Sequence, residues 1–245
     1  MYLIDIKNEN FQKINSEAFF MTEFSWGLDQ FSHKREHELP LINWVRDNFL
    51  QKDKNFIDIG SYVGGWSWNL ANHVNHVYAF EPNIYHYNCL CANIFLKNCS
   101  EKITTFNHGL SDKNEDVTYF KRGSQNFYND GCGGILELPQ DKNRNIQKLN
   151  IKLKRLDDLQ IENIGFMKID VEGYEKEVLI GAYETLKNSN WPTFHVESWG
   201  AESDKTHNSI KLRQELFDYI SSINYEIIPI KGYPYDFICT HKSNK

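Results

Sequence analysis

The segment Asn55–Pro82, NFIDIGSYVGGWSWNLANHVNHVYAFEP, decides the fold of this 245-residue chain. Its first apolar run, Phe56–Gly60, has the length and β-branched content of a buried parallel strand. A glycine turn containing Gly64 follows, and the next apolar residues have helical spacing: Trp66, Leu70 and Val74. A second apolar run, His76–Phe80, ends in the acid Glu81. This order predicts a nucleotide-binding βαβ unit, although an ordinary crossover with a chance glycine turn has the same outline.

The polar residues of this unit indicate which adenosine cofactor it binds. Asp58 and Glu81 are 81 − 58 = 23 positions apart, close to the spacing of about 20 residues that precedes a ribose-binding acid. The turn carries Asp58 before its glycines instead of reading G-x-G-x-x-G, and Asn55–Glu81 contains no Lys or Arg. A carboxylate beside the turn would repel a pyrophosphate, whereas S-adenosylmethionine has no phosphate and carries an ammonium and a sulfonium. The residues expected to hold this cofactor are Asp58, Gly60, Ser61, Gly64, Glu81, Asn107 and Asp170.

Composition excludes several classes of protein. The hydrophobic fraction of 40% and the aromatic fraction of 14% are those of a folded chain. A net charge of −6 argues against a nucleic-acid or membrane-surface partner, since phosphate neutralisation needs clustered cations. The five cysteines show no metal-binding spacing, which favours reduced thiols in a cytoplasmic compartment. There is no apolar run long enough to span a membrane and no signal peptide pattern at the N-terminus.

Strand-like and helix-like segments alternate along the rest of the chain. Strands are expected at 102–107, 117–121, 149–153, 164–170 and 192–198, and helices at 34–51, 83–98, 175–186 and 210–223. Tyr225–Ile230 and Tyr235–Thr240 predict an antiparallel closing pair. The pattern predicts an α/β fold with a doubly wound, mostly parallel sheet and an antiparallel C-terminal hairpin at its edge. We expect one domain over residues 1–245, with 1–50 as an aromatic and helical extension and 51–245 as the Rossmann-like core.

Two segments allow two interpretations each. Residues 1–33 carry the closely spaced aromatics Phe19, Phe20, Phe24, Trp26 and Phe31. They form either a flap that offers aromatic faces to a substrate or a segment that packs on the domain for stability. The glycine-rich stretch Arg122–Gly134 either lies over a polar acceptor or forms the tip of a hairpin.

Ligands of open α/β sheets lie beyond the carboxyl ends of the strands, so polar residues there are the candidates for chemistry. We expect His195 or Glu197 to act as the general base and Glu172 to bind an acceptor hydroxyl. Asp170 would orient the methionine ammonium or the acceptor. Three alternatives stay open: a histidine satisfied within the sheet, Glu172 as a helix N-terminal acid, and Asp170, Glu172 and Glu197 together holding a divalent cation. A metal is not the prediction.

Five segments, taken in order, resemble the FkbM-type S-adenosylmethionine-dependent methyltransferase family: FIDIGSYVGGWS, YAFEPN, GLSD, LDDL and MKIDVEGYEKEVLIGA. The resemblance covers about Asn55 to Trp199, and Lys168–Glu175 is its most distinctive piece. It implies a class I methyltransferase fold, with Asp58, Gly60, Gly64 and Glu81 at the cofactor and Asp170, Glu172 and Glu197 at the acceptor. One departure is Ser61-Tyr62-Val63, where the family has a small polar pair, so Tyr62 is expected to crowd the methionine end or to wall off the acceptor pocket.

The residues at the end of the fourth strand indicate the chemical class of the acceptor. Methylases of base amines carry Asn or Asp followed by Pro-Pro and an aromatic on the fourth strand, whereas this chain has Asp170–Tyr174, DVEGY. Carboxylates without an aromatic sandwich favour a hydroxyl acceptor, and the family implies a sugar or glycan. Aromatic side chains would then line the acceptor groove, and the candidates are Trp26, Tyr62, Trp199, Tyr233 and Tyr235. The alternatives are O-methylation of a non-sugar metabolite, a silent S-adenosylmethionine-binding subunit, and an NAD-dependent enzyme.

Overall fold

The computed structural model describes residues 2–4, 19–21, 28–122, 133–137, 146–200 and 209–244, with side chains from residue 38 onward. The first half of the chain contains β1 (Tyr2–Ile4), β2 (Phe19–Met21), α1 (Leu28–Phe49), β3 (Asn55–Ile59), α2 (Gly65–Leu70), β4 (Val77–Phe80), α3 (Ile84–Leu96), β5 (Ile103–Phe106), β6 (Gly109–Leu110) and β7 (Glu115–Lys121). The second half contains β8 (Gln147–Lys154), β9 (Ile164–Ile169), α4 (Glu175–Ile180), α5 (Tyr183–Asn188), β10 (Thr193–Glu197), α6 (Ser209–Ser222), β11 (Tyr225–Ile230) and β12 (Tyr233–His241).

The central sheet has seven strands in the order β11-β12-β10-β9-β3-β4-β5. Strands β5, β4, β3, β9 and β10 pair in parallel, and β12 is antiparallel to both β10 and β11. The chain therefore builds outward from β3 to β5 and then returns to β9 on the other side of β3. This is the doubly wound α/β fold that the sequence predicts. The closing hairpin differs in one detail: β12 is inserted inside the sheet, and the edge strand β11 runs in the direction of the parallel strands.

Successive apolar side chains along a strand point to opposite faces of the sheet, so each face has its own hydrophobic core. Phe56 points to one core, which includes residues of α1, α2 and α3, whereas Ile57 points to the other, which includes α4, α5 and α6. All five residues of β3 are buried. The sheet is thus covered on both faces, as a parallel sheet requires, and only the ends of its strands are left for a ligand.

Three boundaries differ from the prediction. The single helix expected at 175–186 is broken into α4 and α5 around Gly181, whose carbonyl accepts the Asp157 backbone N–H, while the Asp157 carboxylate accepts that of Thr185 in α5. The helix expected to reach Val74 ends at Leu70 and continues as a 3₁₀ turn over Ala71–His73. The first long helix begins at Leu28, six residues before the expected start.

The strands expected near 117–121 and 149–153 do not join the central sheet. They are β7 and β8, which pair antiparallel and form a separate three-stranded sheet with the short β6. Tyr119 of β7 and Leu153 of β8 reach the ligand end of the central sheet. The flap at 1–33 and the loop at 123–132 fall outside the described side chains, so their two interpretations stay as predictions.

Candidate functional site

A cavity of about 590 Å³ lies at the carboxyl ends of the central strands. Its wall includes residues that follow β3, β4 and β9, residues of β10 and β12, and the inner face of the small sheet. The volume falls in the range of pockets that enclose a cofactor or a drug-sized ligand. The cavity therefore lies where an open, doubly wound sheet binds its ligands.

The glycine turn after β3 brings the backbone close to β9. Gly60 has φ of 76°, and a Cβ there would lie 1.8 Å from the Asp170 carbonyl oxygen, so only glycine fits. Gly64 has φ of 98°, and a Cβ there would lie 2.6 Å from Leu90. The Ser61 hydroxyl closes the turn by donating to the Asp58 carbonyl at 2.8 Å. Of the predicted turn residues, Gly60 and Ser61 line the cavity, whereas Gly64 packs behind it.

Glu81 is held at the end of β4 with its carboxylate toward the cavity. Its Oε2 accepts the Tyr62 backbone N–H at 2.9 Å, and its Oε1 accepts that of Asn83 at 2.8 Å. His86 lies 3.7 Å from Oε1 and packs edge-on against the Tyr62 ring. Two backbone donors fix the carboxylate while each oxygen keeps a second lone pair, which is the arrangement that a pair of vicinal hydroxyls requires.

Asn107 braces this end of the site without reaching the cavity. Its side-chain amide donates to the carbonyl oxygens of Glu81 and Pro82, at 2.9 and 3.2 Å. Pro82, Gly109 and Leu110 form the adjacent apolar wall. Asn107 was predicted to contact the cofactor, and its place in the structure is that of a residue that positions Glu81.

Strand register places three polar side chains side by side, in what we call the buried row: Asp58, Lys168 and His195. Asp58 pairs with Lys168 across β3 and β9, and Lys168 pairs with His195 across β9 and β10. Helix α2 covers this row with Trp66 and Ser67. Of the three side chains only Lys168 lines the cavity.

Asp58 is fully buried and does not contact the cavity, contrary to the expected grip on the cofactor. Its Oδ2 accepts the Ser67 hydroxyl at 2.5 Å, and its Oδ1 lies 3.9 Å from Lys168 Nζ. Burial raises the pKa of Asp58, and the Lys168 cation limits that rise. Asp58 thus stabilises a buried cation, so any effect on a ligand passes through Lys168.

Lys168 links the buried row to the cavity floor. Its ammonium donates to the Gly60 carbonyl at 2.7 Å and lies 3.1 Å from Asp170 Oδ2. Burial opposes its charge, but the attraction of Asp170 and Asp58 outweighs burial and raises the pKa of Lys168. The Lys168 cation is thus paired with carboxyl groups on both sides, so the floor offers a carboxylate of Asp170 to a cationic ligand group and no unpaired cation to a phosphate.

His195, one of the two predicted bases, is 1% exposed. Its Nε2 lies 2.8 Å from Asp236 Oδ1, and its ring stacks on Trp66 at 5.1 Å. Because the ring does not line the cavity, His195 cannot take a proton from a ligand directly. The ring is enclosed within the sheet, as in the alternative interpretation, but its Nδ1 has no hydrogen-bond partner among the described residues, so it is not fully satisfied.

One step further along the strands lies a second set of side chains, which we call the cavity row: Asp170, Glu197 and Asp236. Glu197 of β10 is directly opposite Asp236 of β12 in the antiparallel ladder, so their side chains share a face. All three residues line the cavity, and Glu172 joins them from the loop after β9. The structure thus brings together the predicted acids of the acceptor side and adds Asp236, which sequence reasoning missed.

The loop that carries Asp170 and Glu172 is held from below by Glu175. Glu172 and Gly173 both have positive φ, 58° and 101°. This fold-back lets the buried Glu175 carboxylate accept the backbone N–H groups of Gly173 and Val171, at 2.9 and 3.3 Å. Burial raises the pKa of Glu175 to about 7. Glu175 lies in the distinctive segment Lys168–Glu175, but its hydrogen bonds depend on the conformation of the loop, which the sequence does not show.

Aromatic side chains line the cavity. Trp199 and Tyr235 pack with ring centroids 4.8 Å apart, and Tyr233 and Tyr62 line the same cavity. These are four of the five predicted aromatics, and the fifth, Trp26, falls outside the described residues. Rings of this kind offer flat apolar faces beside the carboxylates of the cavity row.

The described residues contain neither a group of metal-binding side chains nor a helix that could span a membrane. Within residues 38–122, 133–137, 146–200 and 209–244, no three His, Cys, Asp or Glu side chains are grouped so as to hold a metal ion. The alternative in which Asp170, Glu172 and Glu197 share a cation therefore has no support from the geometry. No helix in the described part of the chain is both long and apolar enough to cross a membrane.

The fold and the site together define a class of protein. The strand order with one reversed strand, the acid at the end of β4 and the cavity between them are those of class I, Rossmann-like S-adenosylmethionine-dependent methyltransferases. A family model, the methyltransferase FkbM domain, matches residues 58–226. The chain belongs to the FkbM methyltransferase family.

Two solved structures with TM-scores of 0.50 and 0.51 agree with this fold. An S-adenosylmethionine-dependent O-methyltransferase from Thermotoga maritima has a TM-score of 0.51 at 11% identity, over 82% of this chain and 64% of that one. A precorrin-6y C5,15-methyltransferase from Geobacter metallireducens has a TM-score of 0.50 at 13% identity, over 84% and 88%. A methyltransferase FkbM from Methylobacillus flagellatus has a TM-score of 0.48 at 13% identity, over 89% and 62%. This chain therefore spans less than two thirds of that FkbM structure. A comparison with functionally curated proteins found no match.

Proposed function

We propose that this chain transfers the methyl group of S-adenosylmethionine to a hydroxyl of a sugar or glycan. The observation that carries the proposal is the cavity row with its aromatic neighbours: Glu197 and Asp236 stand opposite each other beside the Trp199–Tyr235 pair. Hydroxylated ligands use carboxylates as hydrogen-bond acceptors, and sugars pack their faces on aromatic rings. The carboxylates would thus bind the hydroxyl groups of a sugar, and the aromatic rings would pack on its apolar face.

The order of the strands separates a cofactor side from an acceptor side. Glu81 follows β4 and Glu197 ends β10, with β3 and β9 between them. Three strand spacings of about 4.8 Å separate these two acids by roughly 14 Å. With the ribose at Glu81, this interval would hold the sulfonium and its methyl group between the ribose and an acceptor hydroxyl near Glu197.

The cofactor side fits S-adenosylmethionine, which when bound supplies a methyl group on a sulfonium. Glu81, fixed by two backbone donors, would accept hydrogen bonds from the ribose hydroxyls, each worth roughly 1.5–3 kcal/mol. Pro82 and Leu110 would pack on the adenine. Asp170, oriented by Lys168, would accept a bond from the methionine ammonium. Lys168 is already paired with Asp58 and Asp170, so the floor between Gly60 and Asp170 offers no unpaired cation to a pyrophosphate, which disfavours a dinucleotide.

On the acceptor side this chain's task is to hold a hydroxyl oxygen in line with the methyl group and to remove its proton. Glu172 would bind a neighbouring hydroxyl of the acceptor. A carboxylate of the cavity row would take the proton, because His195 is enclosed.

The experiment is a paired measurement of binding and transfer. Isothermal titration with S-adenosylmethionine tests the cofactor, and incubation with methyl-labelled cofactor and a panel of neutral methyl glycosides and oligosaccharides tests transfer. Mass spectrometry of a parallel reaction with unlabelled cofactor should show a gain of about 14 daltons on an acceptor hydroxyl, as expected for replacement of a hydroxyl proton by a methyl group in the transfer step. If the protein binds the cofactor but labels only non-sugar hydroxyls, the acceptor is another metabolite and not a sugar. Binding without any transfer would indicate a silent subunit.

A further inference from the structure

Asp236 occupies a position that nothing in the sequence singled out. It lies on β12, lines the cavity and keeps its side chain 15% exposed. Its Oδ1 lies 2.8 Å from His195 Nε2, and its backbone pairs with Glu197. A carboxylate that is anchored on one oxygen and open to the cavity on its other side has the geometry of a positioned proton acceptor.

The state of the His195 ring follows from its surroundings. Nδ1 is enclosed and has no hydrogen-bond partner among the described residues. An N–H at that nitrogen would be a buried, unsatisfied donor, whereas a bare lone pair costs less. The proton therefore lies on Nε2, and His195 donates to Asp236. Stacking on Trp66 holds the ring in this orientation.

We propose that Asp236 is the general base of the methyl transfer and that His195 is its positioning residue. The inference rests on the proposed function. As the acceptor oxygen forms its bond to the methyl carbon, the bond from that carbon to sulfur breaks and its electron pair stays on sulfur. The hydroxyl proton moves to Asp236 Oδ2, and solvent removes it after product release.

The neighbours of Asp236 are compatible with this role. Its titratable neighbours are His195 behind it, Glu197 on the paired strand and Tyr233 on its own strand. Burial and the negative charge of Asp236 raise the pKa of Tyr233, so this hydroxyl stays protonated and remains a donor.

The test uses the full chain, labelled S-adenosylmethionine and the methyl glycoside that the wild type methylates fastest. Asp236→Asn should lower kcat by about 10²–10⁴-fold, the usual contribution of a general base, with the Kd for S-adenosylmethionine unchanged. Asp218→Asn, an exposed aspartate on α6, is the matched control and should keep wild-type kcat. Formate should partly restore the Asp236→Ala variant. With a phenol acceptor, whose hydroxyl is more acidic, the kcat of Asp236→Asn should lie closer to that of the wild type.

His195 is tested by a pair of substitutions. His195→Phe keeps a ring against Trp66 but removes the donor, so kcat should fall about tenfold through loss of orientation, with KM for the cofactor unchanged. Loss of the donated hydrogen bond should also move the ascending limb of the pH–rate profile to higher pH. His195→Gln offers a donor again and should restore part of the rate.

The outcomes separate this inference from the proposed function. If the wild type methylates a glycoside and Asp236→Asn stays within about threefold of its kcat, Asp236 is not the base and the proposed function stands. A large loss in Glu197→Gln together with full activity of Asp236→Asn would assign the base to Glu197. If the wild type binds the cofactor and labels no hydroxyl, both the function and the inference are refuted.

Discussion

Glu175 should make the stability of the chain depend on pH in a direction opposite to that of most carboxylates. The carboxyl is buried below the Asp170–Gly173 loop, and its pKa is raised from 4.5 to about 7. A raised pKa means that the folded state binds the proton more tightly than the unfolded state. The stabilisation is therefore complete below pH 4.5 and is lost as the pH rises to 7. Over this window the 2.5-unit difference amounts to about 3 kcal/mol.

The perturbation is Glu175→Gln, which keeps an oxygen acceptor for the N–H groups of Gly173 and Val171 but cannot ionise. The free energy of unfolding of the variant minus that of wild type should become more positive by about 3 kcal/mol between pH 4 and pH 8. For a chain of this size this corresponds to a relative shift in Tm of roughly 6–12 °C.

The assay is chemical or thermal unfolding of both proteins at each pH, so that the titration of all other groups cancels in the difference. Glu177→Gln, in the first turn of the same helix, controls for the loss of a helix N-terminal carboxylate and should show no such change. A difference that stays below about 1 kcal/mol, or that changes in the opposite direction, would refute the burial argument.

Three further outcomes follow from the site. Glu81→Gln should weaken S-adenosylmethionine binding by about 10–100-fold in isothermal titration, since it removes a charge-assisted bond of roughly 1.5–3 kcal/mol, and it should also lower the Tm, because the amide NH2 cannot accept one of the two backbone N–H groups that hold the carboxylate. Gly60→Ala should prevent folding or lower the Tm steeply, because the new Cβ meets the backbone of the next strand, whereas Gly65→Ala has open space and should be tolerated. Lys168→Met should cost about 3–5 kcal/mol in denaturant unfolding by leaving Asp58 buried without its cation. Adding Asp58→Asn should recover part of this loss, and additive effects would show that the pair does not interact.

The sequence was sufficient to predict the framework of the site. The apolar runs and the glycine turn of Asn55–Pro82 predict β3, α2 and β4, and the spacing to Glu81 predicts the acid at the end of β4. These features are local, since a strand followed by a turn and a helix is specified by residues within about 25 positions. The family resemblance rests on the same local segments.

The partners of the buried row are not local, and they were not predicted. Asp58 meets Lys168 across 110 positions of sequence, and His195 meets Asp236 across 41. Both contacts depend on the register between strands, which the periodicity of one strand does not specify. The break at Gly181 likewise involves a distant segment, since the Gly181 carbonyl accepts the backbone N–H of Asp157.

The two rows differ in whether their side chains contact the cavity, and the sequence alone does not show this difference. Side chains two positions apart on a strand share a face, so Asp58 and Gly60 point the same way, as do His195 and Glu197. Helix α2 begins at Gly65 and lays Trp66 and Ser67 over the first member of each pair, while the second member stays open. A short polar side chain at a strand end therefore reaches the cavity only if it lies beyond the edge of that helix, whereas the longer Lys168 side chain reaches it from the buried row. The enclosed members act through the side chains that they touch, Asp58 through Lys168 and His195 through Asp236.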